Sequence, residues 1–270
     1  MTHRTRCSVA RTVGAGLAAA TLAGGAISAT AATTAADGDS ADAITPYRPS
    51  VSSPAQLPLA GQIELELGGL RTRSSDARRA SLPYQFKLAF SREWGVLIGG
   101  EAQVWARDGG TSSRGVGDTT LTLKRAWIVD DASAFGMEVG AKLPTAKDSI
   151  GSGKADYSVN TIYSRDIGPA HVDANLNATR LGLVDPGTAR TQFGASVSVS
   201  TELSERWGLT GEVSGTRRTG ADSSVQVLAA LTFSPNKRLT FDVGLARTVR
   251  PLPAATSVFA GVVFPITRLW

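Results

Sequence analysis

From Gly61 to the end of the chain, apolar and polar residues alternate with a period of two. In QIELELGGL, residues 62–70, Gln62, Glu64 and Glu66 fall on one face and Ile63, Leu65 and Leu67 on the other. A helix would mix these positions, whereas a strand separates them. The pattern recurs where Leu82, Tyr84, Phe86 and Leu88 oppose Gln85 and Lys87. It recurs again where Val172, Ala174 and Leu176 oppose His171, Asp173, Asn175 and Asn177. About twelve such segments are readable, roughly 61–71, 80–90, 94–107, 117–128, 134–143, 155–165, 170–181, 191–203, 207–216, 223–234, 239–249 and 256–270. Strands of soluble proteins run to about five or six residues. Segments of about ten match the roughly 9–11 residues that a tilted strand needs to cross a bilayer.

The connections alternate too. Those after even-numbered segments are short and polar, such as Ser91-Arg92-Glu93 and Ser204-Glu205-Arg206, and those after odd-numbered segments are mostly longer. Outer-membrane barrels have short periplasmic turns, longer outer loops and an even strand number. Trp94, Trp127, Trp207, Phe233 and Trp270 all fall at the short-turn end, as an interfacial aromatic girdle does. Trp105 falls near the other end, and its parity fits an outward position if a bulge at Gly99-Gly100 shifts the register. A secreted soluble barrel or sandwich also alternates, but needs neither an apolar outer face on every strand nor aromatics at one level. The expected fold is therefore all-β: a transmembrane antiparallel β-barrel of about twelve strands in up-and-down order, over residues 61–270.

The start of the chain adds a destination. Arg4, Arg6 and Arg11 precede a small-residue apolar run from Val13 to about Ala32, and Ala29-Thr30-Ala31 fits a leader cleavage pattern. Residues 1–36 read as a signal peptide, cut between about 31 and 36. Residues 37–60 are rich in Ala, Ser, Pro and Asp without periodicity, and read as a flexible periplasmic N-terminal segment. Localisation is then the bacterial outer membrane, with both chain ends in the periplasm.

Charge changes the picture little. Without the three leader arginines, 25 basic residues face 23 acidic ones, and no basic stripe suggests nucleic acid. The sole cysteine, Cys7, lies in the leader, so a thiolate metal site is excluded, and no metal or cofactor is implied. GSGKA at 151–155 lacks the upstream glycine and the Ser or Thr of a phosphate loop. His171, with Asp173 on the same face, is the one candidate for acyl-hydrolase chemistry, which would also need a serine in reach.

The inward faces are more telling. Glu101, Lys124, Glu138, Lys142, Asp156, Asp173, Asn175, Asn177 and Glu212 are expected to line the lumen. They either pair and fill the barrel or line a solute path. Twelve strands fall between a filled barrel and an open channel. A narrow pore, obstructed by residues 37–60 or by a loop, is the natural expectation.

GVGDTTLTLKR (115–125) and GAKLPTAKDSIGSGKADYSVNTIYSRDIG (140–168) resemble segments of the outer-membrane "MetA-pathway of phenol degradation" family. The matching residues are Gly117-Asp118, Lys142-Leu143-Pro144-Thr145, Gly151-Ser152-Gly153 and Asp156-Tyr157, with Ala146 where a glycine is common. The resemblance implies passive transport of small molecules, aromatic or apolar ones among them. The alternatives are a filled structural or surface-interaction barrel and, further off, a membrane-embedded hydrolase. Expected partners are outer-membrane lipid, a small solute, and the barrel-insertion machinery through the C-terminal strand. Oligomeric state is left open.

Overall fold

The structure, a computed structural model, describes residues 43–270. The leader and residues 37–42 lie outside the described residues. Thirteen strands are described: β1 (Gln62–Arg73), β2 (Ala77–Ala89), β3 (Trp94–Asp108), β4 (Thr111–Gly115), β5 (Thr119–Asp130), β6 (Ser133–Leu143), β7 (Asp156–Ile167), β8 (Ala170–Arg180), β9 (Thr191–Ser204), β10 (Trp207–Arg218), β11 (Ser224–Asn236), β12 (Leu239–Arg250) and β13 (Ala255–Arg268). Apart from β4 and β5, which both pair with β3, each strand pairs antiparallel with its chain neighbours, and β1 pairs with β13 to close the ring. Closure leaves no sheet edge to template aggregation.

The barrel has twelve staves, because β4 and β5 share one. Both pair with β3: β5 is the expected strand 117–128, β4 precedes it in a stretch expected as loop, and residues 116–118 break the ladder between them. There the Gly117 N–H donates to the Glu101 carbonyl at 2.8 Å. A Cβ on Gly117 would sit 2.8 Å from the Glu101 side chain, so the kink requires glycine. The bulge on β3 also differs from expectation. Gly99 and Gly100 pair regularly with Gln85 and Tyr84. The extra residue lies between Glu101 and Val104, opposite Ser81–Pro83, where proline donates no ladder bond. It still turns Trp105 outward. The β1–β2 connection is short, at Ser74-Ser75-Asp76.

The alternation sorts the faces. Glu64 and Lys87 are 0 % exposed, whereas Val213 is 56 % and Leu245 57 %. Apolar side chains thus clothe the outside and polar ones the lumen, the reverse of a soluble core. At the short-turn end the outer face carries aromatics. Trp207 and Phe233 are register partners with ring centroids 4.8 Å apart. Phe135 lies 4.9 Å from Tyr163 and pairs with Trp127. Arg125 sits between Trp94 and Trp127, at 5.0 and 4.7 Å from their rings. Trp270 is exposed at the same end, and the Leu269 N–H donates to the Gly61 carbonyl at 2.8 Å.

Residues 43–60 correct the expectation of a flexible periplasmic segment. From Ala43 to Ala60 they lie within the barrel, most of them buried. Composition hid this, because the segment has no core of its own and is held by partners far away in sequence.

Candidate functional site: a peptide across the lumen

The described part of the segment begins at the short-turn rim, where the Ile44 N–H donates to the Lys237 carbonyl at 2.9 Å. It then circles the inner wall. Arg48 reaches β12, Val51 and Ser52 reach β10, and Ser53 reaches β8. Ala55 reaches β7 before the chain returns to β1. Its attachment is mostly through backbone N–H groups, which suits an unpaired stretch whose donors would otherwise be orphaned.

Side chains of the wall supply the acceptors. The Thr45 N–H donates to Glu64 at 2.9 Å and the Tyr47 N–H to Glu66 at 2.6 Å. Glu212 accepts from Val51 and Ser52 at 2.7 and 2.8 Å. Asn175 grips Ser53 twice, accepting from its N–H at 2.8 Å and donating to its carbonyl at 2.9 Å. Ser164 accepts from the Ala55 N–H at 2.8 Å.

Two side chains of the segment anchor it. Tyr47 is fully buried, and two ammonium groups approach its ring, Lys87 at 4.3 Å and Lys124 at 4.1 Å from the centroid. A cation held over an aromatic face is attracted by the ring quadrupole, the more so when desolvated. Lys87 also contacts Glu64 at 2.8 Å, Glu66 at 2.6 Å and the Thr45 carbonyl. Lys124 contacts Glu138 at 3.1 Å and the Pro54 carbonyl. The Tyr47 hydroxyl donates to the Gln56 carbonyl at 2.6 Å, so the ring also braces the segment against itself. Burial, then the Glu138, Glu64 and Glu66 carboxylates, raise the Tyr47 phenol pKa well above its usual value.

Arg48 forms the second anchor, a two-pronged pair with Asp242. Its guanidinium lies over Gly68 and Gly261, which are register partners on β1 and β13. A Cβ would come within 2.7 Å of Arg48 at Gly68 and 2.3 Å at Gly261, so the slot exists because both side chains are missing.

The nine residues expected in the lumen thus have varied fates. Lys124, Glu138, Asp173, Asn175 and Glu212 lie around the segment. Nearer the long loops, Glu101 forks with Arg79 at 2.5 Å, and Asn177 lies against Gly194. Lys142 joins Asp118 and Asp156, each at 3.0 Å, and donates to Ser152 at 2.9 Å. Asp118 also accepts from the Ala146 N–H at 3.0 Å. The motif residues Gly117-Asp118, Lys142 and Ser152 therefore meet, and they pin the 144–155 loop to the wall.

His171 does not form a nucleophile–base pair with Ser164. Asp173 stands between them, 2.5 Å from the serine Oγ and 3.1 Å from the imidazole Nε2, while Nδ1 meets Asp166. Ser164 is spent on Ala55 and Asp173, so the arrangement lacks the hydrogen bond that activates a serine. Sequence reasoning missed Tyr47, Arg48, Ser164 and Asp242. A lone aromatic beside a basic residue at 47–48 was the one available signal in a segment otherwise small and polar.

A closed antiparallel meander, apolar outside and polar within, defines an outer-membrane-type β-barrel. The fold is similar to that of the KdgM porin (TM-score 0.52, 7 % identity, covering 75 % of this chain and 99 % of that one). It is also similar to the KdgM porin in complex with disordered oligogalacturonate (0.51, 8 %, 75 % and 99 %). A third similar structure is the translocator domain of autotransporter NalP from Neisseria meningitidis (0.50, 8 %, 75 % and 88 %). At such identities the likeness is one of fold. The chain belongs to the family described as "Putative MetA-pathway of phenol degradation", whose model matches residues 47–260. That match begins at Tyr47 and so takes in most of the lumenal segment. No curated protein matches the sequence.

Proposed function

We propose that the protein is an outer-membrane channel for the passive passage of small molecules, and that residues 43–60 form its constriction. The observation that carries this reading is the independence of barrel and segment. The ladder closes through β1 and β13 without any strand from 43–60, which contributes one isolated bridge, Ala60 to Ala89. Apart from the Ile44–Lys237 backbone bond at the rim, side chains of the wall hold the segment, so the lumen opens without unpicking the barrel.

Both chain ends and the short turns face the periplasm, and the longer loops face outward. The last strand, β13, serves recognition by the insertion machinery. One wall of the lumen carries an apolar strip, with Phe259, Leu228, Ala230 and Ala246 packed beside Leu70. An apolar strip opposite a polar wall suits small amphipathic or aromatic solutes, which accords with the family's description. The protein is no enzyme on this reading.

Single-channel conductance in a planar bilayer tests it. The mature protein is expected to show small or rare current steps, and a variant lacking residues 43–58 larger and steady ones. Folded barrels of both forms that stay silent, and that support no solute uptake, would establish the filled structural barrel instead.

A further inference from the structure

The outer face carries a basic cluster at the long-loop end that the channel reading does not use. Register fixes its geometry. One outward row runs Thr256, Arg73, Arg78, Arg107 and Ser112 across β13, β1, β2, β3 and β4. The neighbouring row, two residues nearer the middle of the barrel, runs Val258, Arg71, Ala80, Trp105 and Arg114. Outward direction follows from the residues between them. Ser81 and Val104 are buried, and Arg79 turns inward to Glu101, whereas Trp105 is 44 % exposed. All five arginines of the two rows are exposed, and none forms an ion pair among the described residues. Arg71, Arg78, Arg107 and Arg114 surround Trp105 in a shallow depression of about 640 Å³.

Such an arrangement is costly without a ligand. Adjacent strands stand about 4.8 Å apart, so Arg73, Arg78 and Arg107 are like charges placed side by side, and such pairs destabilise a sheet. Neither row contains a carboxylate; Asp76, at the β1–β2 turn, lines a small hollow with Arg78 and Arg107 but forms no ion pair with either. A guanidinium at mid-bilayer would also be disfavoured, while one at the rim is tolerated. An anion with several acceptor oxygens removes the repulsion, because planar guanidinium forks match phosphate bidentately. Trp105 marks the level of the headgroups.

We propose that this surface binds a phosphate-bearing glycolipid of the outer leaflet, its phosphates between the arginines of the first row and its acyl chains along the apolar strands below Trp105. The proposal rests on the outward orientation of the long loops, but not on conduction.

The test uses the purified mature protein in a zwitterionic detergent. It is titrated with bisphosphorylated lipid A, dephosphorylated lipid A, phosphatidylglycerol or inorganic phosphate. Bound lipid is counted by native mass spectrometry and stability read from the heat-induced gel shift. Bisphosphorylated lipid A is expected to bind and to raise the unfolding temperature, and the other three to do so weakly or not at all. Arg73→Gln, Arg78→Gln and Arg107→Gln together are expected to weaken it by tenfold or more, as the loss of charge-assisted bonds implies. If the triple variant does not fold, Arg78→Gln alone is read for a smaller loss. Equal binding by the variants, by dephosphorylated lipid A or by phosphatidylglycerol overturns the glycolipid site. An equal response to inorganic phosphate makes it a free-anion site and also overturns it. Conductance of the same preparation is scored separately, so a silent barrel that binds lipid A sinks the channel and leaves the lipid site standing.

Discussion

Arg48 and Asp242, 194 residues apart in the chain, meet inside the barrel with two nitrogen–oxygen contacts of 2.9 Å each. Both side chains are nearly fully buried, at 7 % and 1 % exposure. Breaking a buried pair from one side typically costs about 3–5 kcal/mol, because the remaining charge is left uncompensated. Here the weakness falls on the segment rather than the barrel, since water can reach Asp242 once the segment leaves. Arg48→Ala is expected to raise conductance and expose residues 43–60 to protease, with the barrel's heat-induced gel shift unchanged. Retained protection with unchanged current would count against the constriction.

Glycine in a strand ordinarily weakens it, so adding a side chain should help. At Gly261 the opposite sign is expected, because a Cβ there would lie 2.3 Å from the Arg48 Nε. Gly261→Val should raise conductance as Arg48→Ala does, and because the Cβ would also lie 2.7 Å from the Leu67 carbonyl, the β1–β13 pairing takes an overpacking cost of about 1–3 kcal/mol as well. Gly69→Val, on the same pair of strands with nothing within 4 Å of its Cβ, is the control expected to leave current unchanged.

Tyr47 separates ring from hydroxyl. Tyr47→Phe keeps the ring that Lys87 and Lys124 approach and loses the bond to Gln56, whereas Tyr47→Leu loses both. Channel opening is expected to rise in the order wild type, Phe, Leu. The raised phenol pKa gives a pH dependence of definite sign. The folded state holds this proton more tightly than the unfolded chain. The stabilisation is therefore complete below the unfolded value of about 10 and is lost as pH rises through the higher folded value. Subtracting the 295 nm titration of Tyr47→Phe from that of wild type should leave no tyrosinate signal at about pH 10.

Ser164→Ala and His171→Ala are expected to leave ester hydrolysis at the detergent blank, where wild type also lies. Ser164→Ala removes the acceptor for the Ala55 N–H and should instead increase current. Turnover by wild type that His171→Ala abolishes would restore the hydrolase reading.

Orientation has its own test. Single cysteines at Thr111, beside the β3–β4 turn, and at Gly187, in the β8–β9 loop, are expected to react with an impermeant label on intact cells. One at Asn236, at the short β11–β12 turn, is expected to react only after the outer membrane is opened. Labelling in the reverse pattern would invert the proposed topology.

The sequence by itself determined the staves. Period-two alternation survives any tertiary context, because a half-buried strand must send successive side chains to opposite faces. That is why Glu64, Lys87 and Asp173 were legible as inward residues before any partner was known. It also determined the girdle and the meander, since short turns join antiparallel neighbours. Between the segment before β1 and a loop, the tertiary structure decided what fills the lumen and where it docks. A segment without periodicity carries no record of where it docks, and its partners lie on strands as distant as β8, β10 and β12. The glycine slot at Gly68 and Gly261, the approach of two lysines to the ring of Tyr47, and the arginine rows across β1 to β4 all arise from closure of the barrel. Closure sets β1 against β13 and fixes the register, and through space it joins residues that the chain keeps far apart.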